Sequence, residues 1–238
     1  MSHAAPAIPA PTRPADAHGF DLFLTVAVLA CIAASVRALF FTPADAMLGD
    51  VQRILYLHVP AAIAGLYVGC GLLAVASLVY LWVRDVRLDR LAESSAEVSL
   101  VFMGVVLATG PVWARSSWGT WWVWEPRITS TLFLWLIVLG YLVLRNAVES
   151  PDQRARLSAI MGTLAALLVP FVHLTVKLFR GMHPEPIVLK PERPTLPADM
   201  LISYGLSTLA FLLLFFALLR SRMRWAALRD ARAMQEGA

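Results

Sequence analysis

Six apolar runs dominate the pattern of hydrophobic and polar positions along this chain. Each is close to the roughly 20 residues that a helix needs to cross a bilayer. Backbone polar groups inside hydrocarbon must pair within their own segment, and the runs lack the alternation of barrel strands, so each predicts a helix. The sequence therefore predicts an all-α integral membrane protein, a bundle of six transmembrane helices. The runs cover approximately residues 20–41, 54–83, 97–114, 129–147, 157–178 and 200–219.

The remaining residues predict two tails around this membrane domain, which we assign to residues 20–221. Residues 1–19 are rich in Ala and Pro without helical periodicity, and predict a mobile cytoplasmic tail rather than a signal peptide. Residues 222–238 are basic, with Trp225 and Leu228 interleaved, and predict a cytoplasmic tail that lies on anionic lipid.

The distribution of Lys and Arg predicts the orientation of the bundle. Twelve lie in the two tails and in the loops 84–96 and 145–156, against eight on the opposite side. Both termini are therefore predicted to be cytoplasmic, in a bacterial inner membrane. The segment between the third and fourth helices then faces outward, into the periplasm of a Gram-negative-type envelope.

Composition excludes a soluble protein, because 15% of the residues are charged where soluble chains have about 25%. Cys31 and Cys70 lie inside apolar runs and form no CxxC or CxxCH pattern, so neither a redox dithiol nor covalent heme attachment is predicted. The chain has no P-loop, so an ATP-driven step would need a partner. The lipid bilayer is a predicted partner, and nucleic acid is not.

Residues 113–129, WARSSWGTWWVWEPRIT, hold five of the chain's eight tryptophans. Tryptophan favours the headgroup level of a membrane, so one interpretation is an interfacial aromatic belt. So many within twelve residues, followed by an acid and a base, instead favour a flat apolar surface for a planar ligand. The tryptophans are Trp113, Trp118, Trp121, Trp122 and Trp124.

Two histidines are predicted at the same height as the tryptophans. His58 is 26 residues from Arg84, and His183 is 27 residues beyond Arg156, so each lies about 39 Å or slightly more from the cytoplasmic end. A bilayer core is about 30 Å thick, which places both at the outer interface. His173 is about 25 Å up by the same arithmetic, inside the bilayer.

Imidazole binds zinc, copper and iron. A zinc site would want further ligands, and only Glu125 and Glu185 are nearby. An iron porphyrin needs two axial ligands, an apolar surface and cations for its propionates, so heme fits this set of residues best. His173 remains a rival axial ligand.

Three segments resemble the heme-handling membrane proteins of cytochrome c maturation, a family with a WWD-type tryptophan motif. They are WGTWWVWEPRIT (118–129), RILYLHVPAA (53–62) and VHLTVKLFRGMH (172–183). The resemblance extends over nearly the whole chain after the N-terminal tail. Two features differ from the family pattern: Glu125 stands where an Asp is usual, and Leu178 and Phe179 stand where tryptophans are usual.

The resemblance implies a heme-transfer scaffold without its own catalytic nucleophile. It would bind heme b at the periplasmic face and present it to a periplasmic heme chaperone during c-type cytochrome maturation. The implied partners also include a small membrane subunit and ABC transporter subunits. His58 and His183 would be the axial ligands of the iron. The other implied heme-binding residues are Trp113, Trp118, Trp121, Trp122, Trp124, Glu125, Arg53 and Arg127.

Two other functions stay open at this stage. The first is the permease subunit of an ABC-type exporter of heme or another solute, which would carry polar residues along the helix interiors. The apolar runs have few of them apart from His173. The second is a structural assembly subunit, in which the tryptophans form only an interfacial belt.

Overall fold

The computed structural model describes residues 21–179, 181–184 and 195–236. In this part of the chain it has six helices that are long and apolar enough to span a membrane, and no strand. The predicted all-α, six-helix architecture is confirmed. The predicted tail at residues 1–19 lies outside the described residues. The helices are α1 (Leu22–Phe41), α2 (Asp50–Val83), α3 (Val86–Trp118), α4 (Pro126–Ala147), α5 (Pro151–Leu178) and α6 (Ala198–Glu236).

Helices α3 and α6 extend well beyond their apolar runs. The first begins just after Asp85, whose carboxylate accepts a hydrogen bond from the Arg87 backbone N–H at 2.8 Å and so caps the helix. The second continues as one helix to Glu236, so the basic residues from 222 onward prolong a spanning helix. Ion pairs join the two polar ends at nitrogen–oxygen distances of 2.6 to 2.8 Å: Arg222–Glu97, Arg229–Glu93 and Arg90–Asp230.

A buried guanidinium ties α4 to the same end of α3. Arg145 is 4% exposed and donates two hydrogen bonds to the carboxylate of Asp89, at 2.6 and 2.9 Å. It donates a third to Glu93 at 3.0 Å. A charge removed from water is costly unless it is paired and hydrogen-bonded, and here it is both. This cluster, Asp89, Glu93 and Arg145, fixes how the helices meet at one end of the bundle.

The bundle is organised around α2, which packs against α3, α5 and α6. Helix α4 packs between α3 and α5, and α1 lies against α6. Gly69 permits a close approach of α2 and α3, because a Cβ atom there would lie 2.0 Å from the Ser99 hydroxyl oxygen. The centre is a packed apolar core of residues from α2 to α5, which includes Leu73, Met103, Leu134, Val138 and Val172.

Three spanning helices have a proline in their interior: Pro60 in α2, Pro111 in α3 and Pro170 in α5. Helix α2 is also π-helical over Ile63–Gly69. Each proline removes one intrahelical hydrogen bond. Helix α3 ends at Trp118 because Gly119 adopts a left-handed conformation (φ 75°), which glycine tolerates best. The chain then crosses to α4 through the short segment 119–125.

Candidate functional site

An open, mostly apolar cavity of about 450 Å³ lies where α2, α3 and the start of α4 meet the segments 119–125, 183–184 and 195–197. Its volume is within the range of pockets that hold small molecules and cofactors. Seven of the residues predicted from the sequence line this cavity. They are His58, Trp113, Trp118, Trp121, Trp122, Arg127 and His183.

His58 is held against α3 on one edge of its ring. Its Nδ1 atom is 2.9 Å from the hydroxyl oxygen of Thr109, within hydrogen-bond distance. Gly110 follows on the same helix, and a Cβ atom at that position would lie 3.5 Å from His58 Cε1. The imidazole thus packs directly on the α3 backbone and lines the cavity with the rest of its ring.

The carboxylate of Glu125 holds the segment that carries His183. Its Oε2 atom accepts hydrogen bonds from the backbone N–H groups of Met182, at 2.8 Å, and His183, at 3.1 Å. Gly181 makes room for this contact, since a Cβ atom there would lie 2.6 Å from Oε2. Glu125 is buried and does not line the cavity. The side chain of Glu125, longer by one methylene group than the Asp usual in the family, thus contacts the backbone of His183.

The environment of His183 favours a neutral imidazole. Burial, the guanidinium of Arg127 and the neighbouring His58 lower the pKa of His183 from its ordinary value to about 3. Its Nδ1 atom is 3.6 Å from Glu125 Oε1, longer than a hydrogen bond. The Trp118 ring stands edge-to-face against it, with 6.4 Å between ring centroids. A neutral imidazole has a nitrogen lone pair that can bind a metal.

Four of the five tryptophans predicted for the site pack as edge-to-face pairs at the cavity. Trp113 and Trp118 have ring centroids 5.2 Å apart and planes at 83°, and Trp122 and Trp124 have centroids 5.5 Å apart and planes at 73°. This is a preferred arrangement for aromatic pairs. The expectation of a single flat surface is therefore wrong. Trp124 is 73% exposed and lies outside the lining, whereas Trp121 lines the cavity and is also exposed.

The two predicted arginines occupy different places. Arg127, in the first turn of α4, lines the cavity, and its guanidinium is 3.5 Å from the Tyr67 hydroxyl. That hydroxyl is 3.3 Å from Nδ1 of His173, so His173 reaches the cavity wall only through Tyr67. Arg53 does not line the cavity and forms a 3.1 Å ion pair with Asp50.

The family described as heme exporter protein C (CcmC) matches residues 8–237 of the chain. The chain belongs to this family. Heme exporter protein C of Haemophilus influenzae is 32% identical over 210 residues, which cover 87% of this chain and 83% of the relative. The protein of the same name from Rhodobacter capsulatus is 35% identical over 201 residues, which cover 83% and 81% of the two chains.

In this member of the heme exporter protein C family, Thr109 contacts His58 and Tyr67 contacts Arg127, although the sequence did not point to either residue. Thr109 lies 51 residues beyond His58, outside every motif. One signal was available: Thr109 and Trp113 are four residues apart, and residues at this spacing share one face of a helix. Tyr67 lies in the π-helical part of α2, where an α-helical spacing does not predict which face it occupies.

Proposed function

We propose that this protein binds heme b in the cavity and presents it to a periplasmic heme chaperone during c-type cytochrome maturation. His58 and His183 are the axial ligands in this proposal. Membership in the heme exporter protein C family supports a role in heme handling. The outward-facing side of a bacterial inner membrane is the proposed location of the cavity, with both termini in the cytoplasm.

The observation that carries the proposal is the meeting of two histidines in one apolar cavity. His58 lies on α2 and His183 on a segment beyond α5, yet both line the same space. Tryptophans from the end of α3 and the segment 119–125 surround them. Two imidazoles on an aromatic wall are the ligands and the surface that an iron porphyrin requires.

The set of donor atoms fits heme better than a bare metal ion. Among the described residues, no group of three or more His, Cys, Asp or Glu side chains is close enough to hold a metal ion. Structural zinc takes four such ligands, and catalytic zinc takes three. A porphyrin supplies four nitrogen ligands itself, so two imidazoles complete its coordination. Arg127 adds a positive charge at the wall of the cavity for a propionate.

Each part of the site has a defined task in this proposal. The half-buried rings of Trp113 and Trp118, packed edge-to-face, would shield the porphyrin from water, and the neutral imidazole of His183 offers a lone pair without first losing a proton. Glu125 holds the His183 segment in place. Trp121 is 59% exposed at the mouth of the cavity, where a chaperone would reach the heme edge.

We also propose that the protein acts with a small membrane subunit and ABC transporter subunits of the same maturation system. The alternative function, passage of heme or a solute through this bundle, requires a path between its two ends. The packed core residues Met103, Leu134 and Val138 lie along α3 and α4 between the cavity and the cluster at Arg145. This packing favours presentation over passage.

An absorption spectrum of the detergent-purified protein from heme-replete cells tests the proposal. We expect a Soret band with low-spin features in the wild type, and its loss or shift in His58→Ala and in His183→Ala. His173→Ala is the matched control and should keep the band. Folded wild-type protein without a Soret band would refute heme binding. A band that survives His183→Ala but disappears in His173→Ala would move the second ligand to His173.

Presentation is separated from binding by a variant at the mouth of the cavity. Trp121→Ala should retain the Soret band but transfer less heme to a co-expressed chaperone, measured as covalently bound heme on that chaperone. Transfer that proceeds at the wild-type rate would contradict the proposed role of this edge.

A further inference from the structure

The hydrogen bonds around His58 determine which of its ring nitrogens carries the proton. The Thr109 hydroxyl lies 2.7 Å from the carbonyl oxygen of Val105, to which it donates, and 2.9 Å from His58 Nδ1. A hydroxyl has one proton to donate and lone pairs to accept with. When that proton is directed to Val105, the shorter of the two contacts, the oxygen accepts from His58. This arrangement requires a proton on Nδ1.

Protonation at Nδ1 leaves the lone pair of a neutral imidazole on Nε2. A histidine that binds a metal generally donates its other N–H to an oxygen acceptor, and this bond fixes both the tautomer and the ring orientation. A Cβ atom at Gly110 would lie 3.5 Å from Cε1, an ordinary van der Waals contact, so this position does not determine the ring orientation. The Thr109 hydroxyl thus constrains one edge of the His58 ring before any ligand arrives.

We propose that Thr109 is a positioning residue, which fixes the Nδ1–H tautomer of His58 so that Nε2 is offered to the iron. The inference rests on the proposed function, because the iron is that of the bound heme. The two axial ligands are then prepared differently. His58 is oriented by a neutral hydroxyl on a spanning helix, whereas His183 is held through its backbone by Glu125.

A purely structural role for Thr109 makes a different prediction. Threonine commonly bonds to the carbonyl four residues earlier in a helix, as Thr109 does here, and this bond needs no histidine. If that bond were the whole role, removing the hydroxyl would leave the tautomer of His58 unchanged. The protonation of the two ring nitrogens is therefore the property to measure.

Nitrogen NMR of the heme-free, full-length protein with ¹⁵N-labelled histidine measures the tautomer directly. His58→Ala assigns the His58 signals. We expect the wild type to show a single tautomer protonated at Nδ1, and Thr109→Val, which keeps the shape but lacks the hydroxyl, to show substantial protonation at Nε2. Thr109→Ser should restore the wild-type spectrum. Gly110→Ala, beside the ring but without effect on the hydrogen bond, is the matched control.

Heme titration supplies a second, independent measurement. Loss of a comparable bond beside a metal-binding histidine lowers metal affinity by about 10- to 100-fold, so we expect Thr109→Val to bind heme at least about tenfold more weakly. Thr109→Ser should stay close to the wild type. Identical His58 nitrogen signals in the wild type and Thr109→Val would overturn the inference. A wild type that binds no heme would refute the proposed function, while the nitrogen spectra would still decide the role of Thr109.

Discussion

Removing the Glu125 carboxylate is expected to release the segment that carries His183. Two backbone N–H groups, those of Met182 and His183, donate to a single oxygen of this buried side chain. Hydrogen bonds to a charged group contribute about 1.5–3 kcal/mol each when they are buried. Met182 is 50% exposed, so water can replace part of what is lost. We therefore take about 1.5 kcal/mol for the pair together.

A loss of about 1.5 kcal/mol lowers the equilibrium constant for the binding-competent arrangement about tenfold, and the apparent heme affinity falls by up to the same factor. Glu125→Ala should show this full loss. Glu125→Gln should lose about threefold, because its amide oxygen still accepts both bonds but without the charge. Gly181→Ala should lower heme affinity nearly as much as Glu125→Ala, since its methyl group would displace Oε2 of Glu125.

Heme titration followed by the Soret absorbance measures these affinities, and hydrogen–deuterium exchange of the Met182 and His183 amides reports the segment itself. Exchange at both amides should accelerate in Glu125→Ala. Glu149→Ala removes an exposed carboxylate from the loop after α4 and is the control. If Glu125→Ala bound heme within twofold of the wild type, with unchanged exchange, the assigned role of this carboxylate would be wrong.

Three further predictions concern pH, stability and the tryptophans. Because the pKa of His183 is lowered to about 3, its imidazole stays neutral down to mildly acidic pH. Heme affinity at about pH 5.5 should therefore be within about threefold of that at about pH 7.5. A histidine with an ordinary pKa would lose about tenfold in heme affinity over the same range, and heme titrations at the two pH values distinguish these outcomes. Arg145→Ala leaves the carboxylate of Asp89 without its partner and the buried Glu93 with Arg229 alone, and should lower the free energy of unfolding by about 3–5 kcal/mol. Arg222→Ala, at an exposed ion pair, should lower it by less than about 1 kcal/mol. Similar thermal or denaturant unfolding of the two variants would contradict this prediction. Trp118→Ala should weaken heme binding by about tenfold or more, and Trp124→Ala by less than about twofold. Equal Kd values for the two variants would contradict the assignment of Trp118, and not Trp124, to the cavity wall.

Hydropathy was sufficient to predict the six spans, because long apolar runs have few alternatives to a membrane helix. It missed the polar ends of α3 and α6, whose stability comes from ion pairs such as Arg222–Glu97 between residues 125 positions apart. It also treated Arg145 as an ordinary loop charge, although the residue is buried between two carboxylates. Pairings of this kind depend on how helices pack, and no local pattern encodes them.

The residues of the candidate site divide in the same way. A short motif predicted the tryptophans, and matching depth along the helices predicted His58 and His183. All of these residues except Trp124 line one cavity. Arg53 was assigned to the site through the family resemblance, but it does not line the cavity and pairs with Asp50. Thr109 was not predicted, because its partner, His58, is on another helix. The interplanar angles of the tryptophans also follow from packing, which spacing along the chain does not specify.

Two of the three prolines inside the spanning helices bear on how a rigid, planar ligand would enter the cavity. Pro60 follows His58 by two residues, and Pro111 follows Thr109 by two. A helix bends most easily where a backbone hydrogen bond is already missing, because no bond has to break there. Pro111 itself lines the cavity, and Pro60 follows His58, which also lines it. We therefore expect α2 and α3 to bend more easily beside the cavity than along the packed core beyond it.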